Sequence, residues 1–182
     1  LKITSTIQFD QKDSRIVFNE LRQLVEDAGV FVFQFTLREV RGFSLMDKEF
    51  PIIGIRGSDT FNGKIFTLFH ELCHILFNVG GVFRGLELEN LNQNYAVIEQ
   101  FCNQFAAELL VPSNLFNTEY LIKNTGYQED WDDSKLAVLS KKYKVSKEVI
   151  LRRILDMNLT SKRSYQLKRK AWNNFYNQAQ QR

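Results

Sequence analysis

Ile65-Phe66-Thr67-Leu68-Phe69-His70-Glu71-Leu72-Cys73-His74 reads as a helix carrying H-E-x-x-H. At about 3.6 residues per turn, His70 and His74 stand one turn apart and about 40° around the axis, so both imidazoles reach one ion while Glu71 sits beside them. Two imidazoles leave a tetrahedral Zn2+ room for a third protein ligand and a water. A neighbouring carboxylate can take the proton from that water as it attacks a carbonyl. His70 and His74 are the 2 histidines of the chain. A surface helix with two solvated histidines is the plain alternative, but Phe66, Phe69, Leu72, Cys73 and Phe77 make this helix apolar on most sides and predict burial.

Outward from this helix the chain reads as α+β. Upstream, residues 10–28 place Ile16, Val17, Leu21, Leu24, Val25 and Ala28 at helical spacing, with Gly29 where a C-terminal cap belongs. Val30-Phe31-Val32-Phe33-Gln34-Phe35, Gly42-Phe43-Ser44-Leu45 and Pro51-Ile52-Ile53-Gly54-Ile55 read as strands, with Asp47-Lys48-Glu49 as a turn. They predict a small antiparallel sheet packed on the H-E-x-x-H helix, which spans residues 60–78 in this reading. The Gly- and Asn-rich stretch from Gly80 to Asn94 reads as a loop near the site. A second long helix follows over 95–111, where Pro112 stops it and Ser113 can cap the next. Shorter helices are expected over 113–123, 133–143 and 146–157, then a polar one from Ser161. The break at 125–131 suggests a metallopeptidase-like domain over 1–125 and a basic, mostly helical extension over 126–182.

With both histidines used, the remaining strong zinc ligands are carboxylates and thiolates. Glu99 is favoured. It lies in Glu99-Gln100-Phe101-Cys102-Asn103-Gln104-Phe105-Ala106-Ala107-Glu108, where small residues let a second helix approach the first and Asn103 is placed to hydrogen-bond a ligating histidine. Glu108 competes, with Glu87 and Glu89 in the loop behind it. Cys73 and Cys102 occupy small-residue positions on the two helices, where core packing is the expected role for a free thiol. With no further histidine, stabilisation of a developing oxyanion falls to a Tyr, an Arg or backbone amides, and Tyr95 and Tyr120 are the tyrosine candidates by position.

Composition narrows the class. At 182 residues and 44% hydrophobic content, the chain is long enough for one domain with a substantial core and a small appendage. Its 2 cysteines are too few for a disulfide framework, which points to a reducing compartment. No stretch reads as a membrane span or a leader, so the expected location is cytoplasmic, without a membrane partner. The chain opens on Leu1 with its methionines at Met46 and Met157, from which removal of a preceding segment is expected. A net charge of +3 hides an asymmetry. Residues 1–133 hold 11 Lys+Arg against 19 Asp+Glu, and residues 134–182 hold 13 against 2. Such a basic tail suits an acidic partner, either nucleic acid or the acidic body of the same molecule.

Together, F-T-L-x-H-E-L-x-H over residues 66–74 and E-x-x-C-N-x-F-A-A-E-L-L-V-P over residues 99–112 resemble the ImmA/IrrE family of metallo-endopeptidases, as do Arg41-Gly42-Phe43-Ser44 and the helix pair around Val145-Ser146. The resemblance implies a zincin-like fold, zinc held by His70, His74 and Glu99, and Glu71 as general base. It further implies a substrate class, helix-turn-helix repressors cut to relieve repression of stress-response or mobile-element genes. Many members carry an N-terminal Xre-type helix-turn-helix domain. Cys73 replaces a small residue often seen there, without consequence for catalysis.

The basic segment has a second possible use. Leu136-Ala137, Tyr143, Val145-Ser146, Ile150 and Arg152-Arg153-Ile154 follow the pattern of a helix-turn-helix, a binding module rather than an enzyme. The arginines fall late in the second helix, whereas base contacts come mostly from its N-terminal part, which argues for a packing platform over sequence-specific DNA reading. The expected activity is therefore zinc endopeptidase. The runner-up is a transcriptional regulator whose protease-like domain senses without cutting.

Overall fold

The computed structural model describes residues 13–77 and 91–180. Two compact units are distinguishable, Leu1–Leu110 and Val111–Arg182. The division falls after the second long helix, whereas the switch from acidic to basic sequence lies further along the chain.

The first unit opens with helix α1, Ser14–Asp27, which starts because the Asp13 carboxylate accepts the Arg15 N–H at 2.8 Å. It buries Val17, Phe18, Leu21 and Val25. Its end is a Schellman motif. Gly29 takes φ +89°, its N–H reaches the Glu26 carbonyl at 2.9 Å, and the Val30 N–H returns to Val25 at 3.3 Å.

Strands β1 (Phe31–Phe35), β2 (Gly42–Leu45) and β3 (Ile52–Arg56) form one sheet in the order β1-β3-β2. The expected antiparallel sheet is thus corrected to a mixed one: β2 pairs antiparallel with β3, but β1 pairs parallel with it, Phe31 opposite Ile52 and Phe35 opposite Arg56. Burial explains the order. Ile53, Gly54 and Ile55 are all buried, and a strand covered on both faces belongs at the centre. On β1, alternation turns Val32 inward and leaves Phe31, Phe33 and Phe35 exposed. The Phe43 ring lies so close over Gly54 that a Cβ there would meet it at 2.3 Å.

Helix α2, Phe61–Leu76, begins where Thr60 Oγ1 accepts the Gly63 N–H at 3.1 Å, and it packs on α1, β2 and β3. Lys64 is buried on this helix. Its ammonium donates to Gln34 Oε1 at 2.8 Å and lies 4.8 Å from the centre of the Phe61 ring. Helix α3, Leu91–Leu110, packs against α2 and starts earlier than the expected Tyr95. Asn92, Gln93 and Asn94 include no helix breaker. Gly80, Gly81, Glu87 and Glu89 lie outside the described residues.

The second unit is helical: α4 (Ser113–Phe116), α5 (Tyr120–Thr125), α6 (Asp133–Tyr143), α7 (Lys147–Asp156) and α8 (Lys162–Gln180). The single helix expected over 113–123 is broken at Glu119. Its carboxylate accepts from the Tyr143 hydroxyl at 2.6 Å and pairs with Lys142 at 2.6 Å. Ser113 does not cap. Pro112 holds the N-cap position, and the Ser113 hydroxyl accepts instead from Arg153 at 2.6 Å. Ser146 caps α7, accepting the Val149 N–H at 3.3 Å, after a turn in which Lys144 takes φ +55°. Side chains along α7 are engaged by its neighbours. Lys147 pairs with Asp133, Glu148 with Arg169 at 2.8 Å, and Arg152 stacks over the Tyr165 ring at 4.9 Å. No helix among the described residues is long and apolar enough to cross a membrane.

Candidate metal centre

Helical periodicity places His70 and His74 on one face of α2, and close packing brings Glu99 of α3 onto them. The two Nε2 atoms are 3.2 Å apart. Glu99 Oε2 lies 3.3 Å from His70 Nε2, and Oε1 lies 3.1 Å from His74 Nε2. A tetrahedral zinc ion with bonds of about 2.0–2.1 Å sets its ligands about 3.3–3.4 Å apart. The observed separations come within a few tenths of an ångström of that, so these donors fit such an ion. Among the described residues, His70, His74 and Glu99 are the group able to hold a metal. Hydrogen bonds from both imidazoles hold the Glu99 carboxyl well below the ordinary carboxylate range.

Neighbouring contacts set the rigidity of the group. His74 is buried, and His70 is stacked by Phe66 at a ring separation of 6.3 Å. His70 Nδ1 is buried with no hydrogen-bond partner among the described residues. Asn103 does not reach a histidine through its amide nitrogen. Nδ2 donates to the main-chain oxygen of Glu99 at 2.7 Å, tying down the turn that carries the carboxylate. Glu108 is exposed and nine residues along α3 from Glu99, about 14 Å by the helical rise, which sets it apart from the group. Cys73 and Cys102 are both fully buried, and burial raises the pKa of each thiol. Neutral thiols suit the packing role.

Glu71 is only 8% exposed. Burial raises its carboxyl above the ordinary range, against the opposing pull of His70, a hydrogen bond with Ser44, and His74. Ser44 brings β2 to the site, and Gly42 two residues earlier makes that approach possible. A Cβ at Gly42 would stand 2.4 Å from Thr67 Cγ2 and 3.1 Å from Glu71 Oε1. Sequence reasoning assigns no role to either residue. Beyond the resemblance of Arg41-Gly42-Phe43-Ser44, their signal is a small residue at alternate positions of a strand, the spacing that faces a neighbour. Tyr95 lies one turn before Glu99 on α3 and is 56% exposed. Tyr120 belongs to the second unit and is 77% exposed.

Two histidines and a carboxylate converging on one point form a group able to hold a metal ion, and a second carboxylate is buried beside them. No curated protein matches the sequence. The peptidase M78 family model, described as the IrrE N-terminal-like domain, matches residues 25–155, a span that contains every residue of this centre. This chain therefore belongs to the peptidase M78, IrrE N-terminal-like family.

Proposed function

We propose that the protein is a zincin-like, zinc-dependent endopeptidase that cleaves a helix-turn-helix repressor. The observation that carries this reading is the set of donor separations of 3.1–3.3 Å among His70, His74 and Glu99, beside a buried Glu71. A bound zinc ion supplies Lewis acidity toward a carbonyl and makes water a stronger acid. His70, His74 and Glu99 hold that ion, while Glu71 accepts the proton of the attacking water and returns it to the leaving amine. The raised affinity of the Glu71 carboxylate for protons suits a group that must both take and give one. Ser44 keeps the carboxylate aimed, and Gly42 keeps the strand close. The repressor substrate is what the resemblance of the two motifs to the ImmA/IrrE family implies.

The experiment is cleavage of candidate helix-turn-helix repressors with added zinc, with a chelator, and with Glu71→Gln. Cleavage abolished by the chelator and reduced at least ~100-fold by Glu71→Gln, at unchanged zinc content, is the expected result. Glu71→Gln also serves as a trap for recovering the substrate from the source cell. A cell in which Glu71→Gln still relieves repression while His70→Ala does not would instead establish the non-cleaving sensor.

A second reading concerns the basic segment. Exposed Lys162, Arg163 and Lys170 on α8 favour electrostatic contact with DNA, independent of base sequence. Retention of short duplexes at low salt, lost with Lys162→Glu, Arg163→Glu and Lys170→Glu together, is expected; equal retention by that variant would remove this reading.

A further inference from the structure

Strand alternation turns Val32 of β1 and Ile53 and Ile55 of β3 into the core, and Gly42 of β2 toward Thr67 and Glu71, so the residues between them face the other way. Cross-strand register sets those outward residues in rows, Phe31 beside Ile52 beside Leu45, and Phe33 beside Gly54 beside Phe43. The rings make a connected layer. Phe35 is 5.5 Å from Phe43 and 6.1 Å from Phe33 between ring centres, and Phe31 is 6.1 Å from Phe50. Yet Phe31, Phe33, Phe35 and Phe50 are 42–57% exposed. A phenylalanine has about 150–250 Å² to bury, so four half-exposed rings leave on the order of 400 Å² of aromatic surface in water. That alone matches the largest apolar patch of a typical monomer, about 300–600 Å², which is often a contact surface.

Charge chooses what covers this face. Arg56 is the charged residue of the three strands, and its guanidinium donates to the Arg38 and Val40 carbonyls at 2.7 and 2.9 Å. Around the strands, residues 36–50 carry Arg38, Arg41 and Lys48 against Glu39, Asp47 and Glu49, three of each sign. A rim without excess positive charge gives no pull toward an anionic lipid surface. The same rim suits a twofold contact, in which each patch meets its own image: the centre brings no like charges together, and the edge offers both signs to the other copy. We infer that the outward face of the β1-β3-β2 sheet is a dimer interface, on which the sheet of a second copy of this chain packs face to face. With Leu45 and the rim added, each copy covers about 500–600 Å², the lower limit for a specific interface, so the dimer is a weak one with a Kd on the order of 1–100 µM. Gly42 approaches Glu71 from the other face of the sheet, so pairing leaves the metal centre open.

The test is sedimentation velocity of the full chain over ~1 to ~300 µM, a range that brackets the expected Kd. Wild type should pass from monomer to dimer across that range, and as tightly in about 1 M salt as in about 0.15 M, because apolar burial is not screened. Phe33→Glu places a charge at the centre of the patch and should weaken association at least ~30-fold, the loss typical of a central anchor. Phe33→Thr keeps strand propensity and removes the ring, so it carries the same test if the charged variant fails to fold; its thermal midpoint is checked alongside. Val138→Glu, at an exposed position of α6, is the control and leaves association unchanged. Wild type that stays monomeric to the top of the range overturns the inference, and co-sedimentation of that monomer with phosphatidylcholine–phosphatidylglycerol vesicles would make lipid the occupant instead. A dimer that dissociates in high salt also overturns it, assigning the contact to the basic C-terminal segment and the acidic body of another copy. A dimer retained by Phe33→Glu and Phe33→Thr alike places the interface elsewhere and overturns it equally.

Discussion

Replacing Gly42 with alanine tests whether close approach of β2 to α2 holds Glu71 in place. The new Cβ would stand 2.4 Å from Thr67 Cγ2, 3.0 Å from the Gly54 carbonyl oxygen and 3.1 Å from Glu71 Oε1. Ordinary carbon–carbon contacts lie at about 3.5–4.0 Å, so the Thr67 methyl must yield by more than an ångström in a packed interface. Overpacking of this kind costs about 1–3 kcal/mol. The gain from replacing a strand glycine recovers roughly 0.5–1 kcal/mol. A net loss of about 1–2 kcal/mol is expected, which for a chain of this size lowers the unfolding midpoint by about 2–8 °C. Peptidase activity should fall further than stability predicts, because the nearest movable polar atom is the Glu71 carboxylate. Thr67→Ser supplies the check, since it deletes Cγ2 and keeps the hydroxyl. In a double-mutant cycle read by calorimetry, Gly42→Ala should cost at least 1 kcal/mol less in the Thr67→Ser background, a coupling of the size expected for groups in contact, about 0.5–3 kcal/mol. An equal cost in both backgrounds would refute the contact as the source of the loss.

Three further outcomes follow from the charge arrangement. Because burial raises the Glu71 pKa, its contribution to stability is complete below its unfolded value and lost as pH rises through the folded one. Metal-free Glu71→Gln should therefore gain stability over wild type at neutral pH, with the gain shrinking toward pH 4, as followed by chemical denaturation. Asp133 is partly desolvated, yet hydrogen bonds from Lys147, Lys168 and Trp172 win and lower it to about 2. The attachment of α8 to α6 that it supports is present above its unfolded pKa and lost as pH falls through about 2, and Asp133→Asn should show faster amide exchange in α8 already at neutral pH. Arg153 is buried, donating to the Val111 carbonyl at 3.1 Å, the Ser113 hydroxyl at 2.6 Å and Asp156 at 3.3 Å. Arg153→Met strands these acceptors and should cost about 3 kcal/mol in denaturant titration, whereas a loss below about 1 kcal/mol would show water replacing the guanidinium.

Helical features were the most legible. The positions of α2, α6 and α7 follow from local periodicity and caps, since Thr60, Asp132 and Ser146 each satisfy an N–H within their own first turn. The same local geometry placed His70, Glu71 and His74 relative to one another before any tertiary contact was known. Sheet order was not legible, because the strand pattern records which residues are apolar and not which strand lies between the others. A meander and the observed β1-β3-β2 arrangement fit the same alternation, and burial of β3 on both faces decides between them.

By itself, then, the amino-acid sequence determined an amphipathic α+β chain, a helix presenting two imidazoles and a carboxylate, a short set of acidic residues from which a third ligand must come, and a basic C-terminal segment. Tertiary structure brought Glu99 rather than Glu108 to the histidines, 3.1 Å from His74. It also decided that Ser44 and Gly42 approach the centre from β2, and that Ser113 serves Arg153 instead of a helix end. The physical reason is range: backbone hydrogen bonding within a helix is set by residues three or four apart, whereas distances between α2, α3 and β2 are set by how side chains far apart in the chain pack into one core.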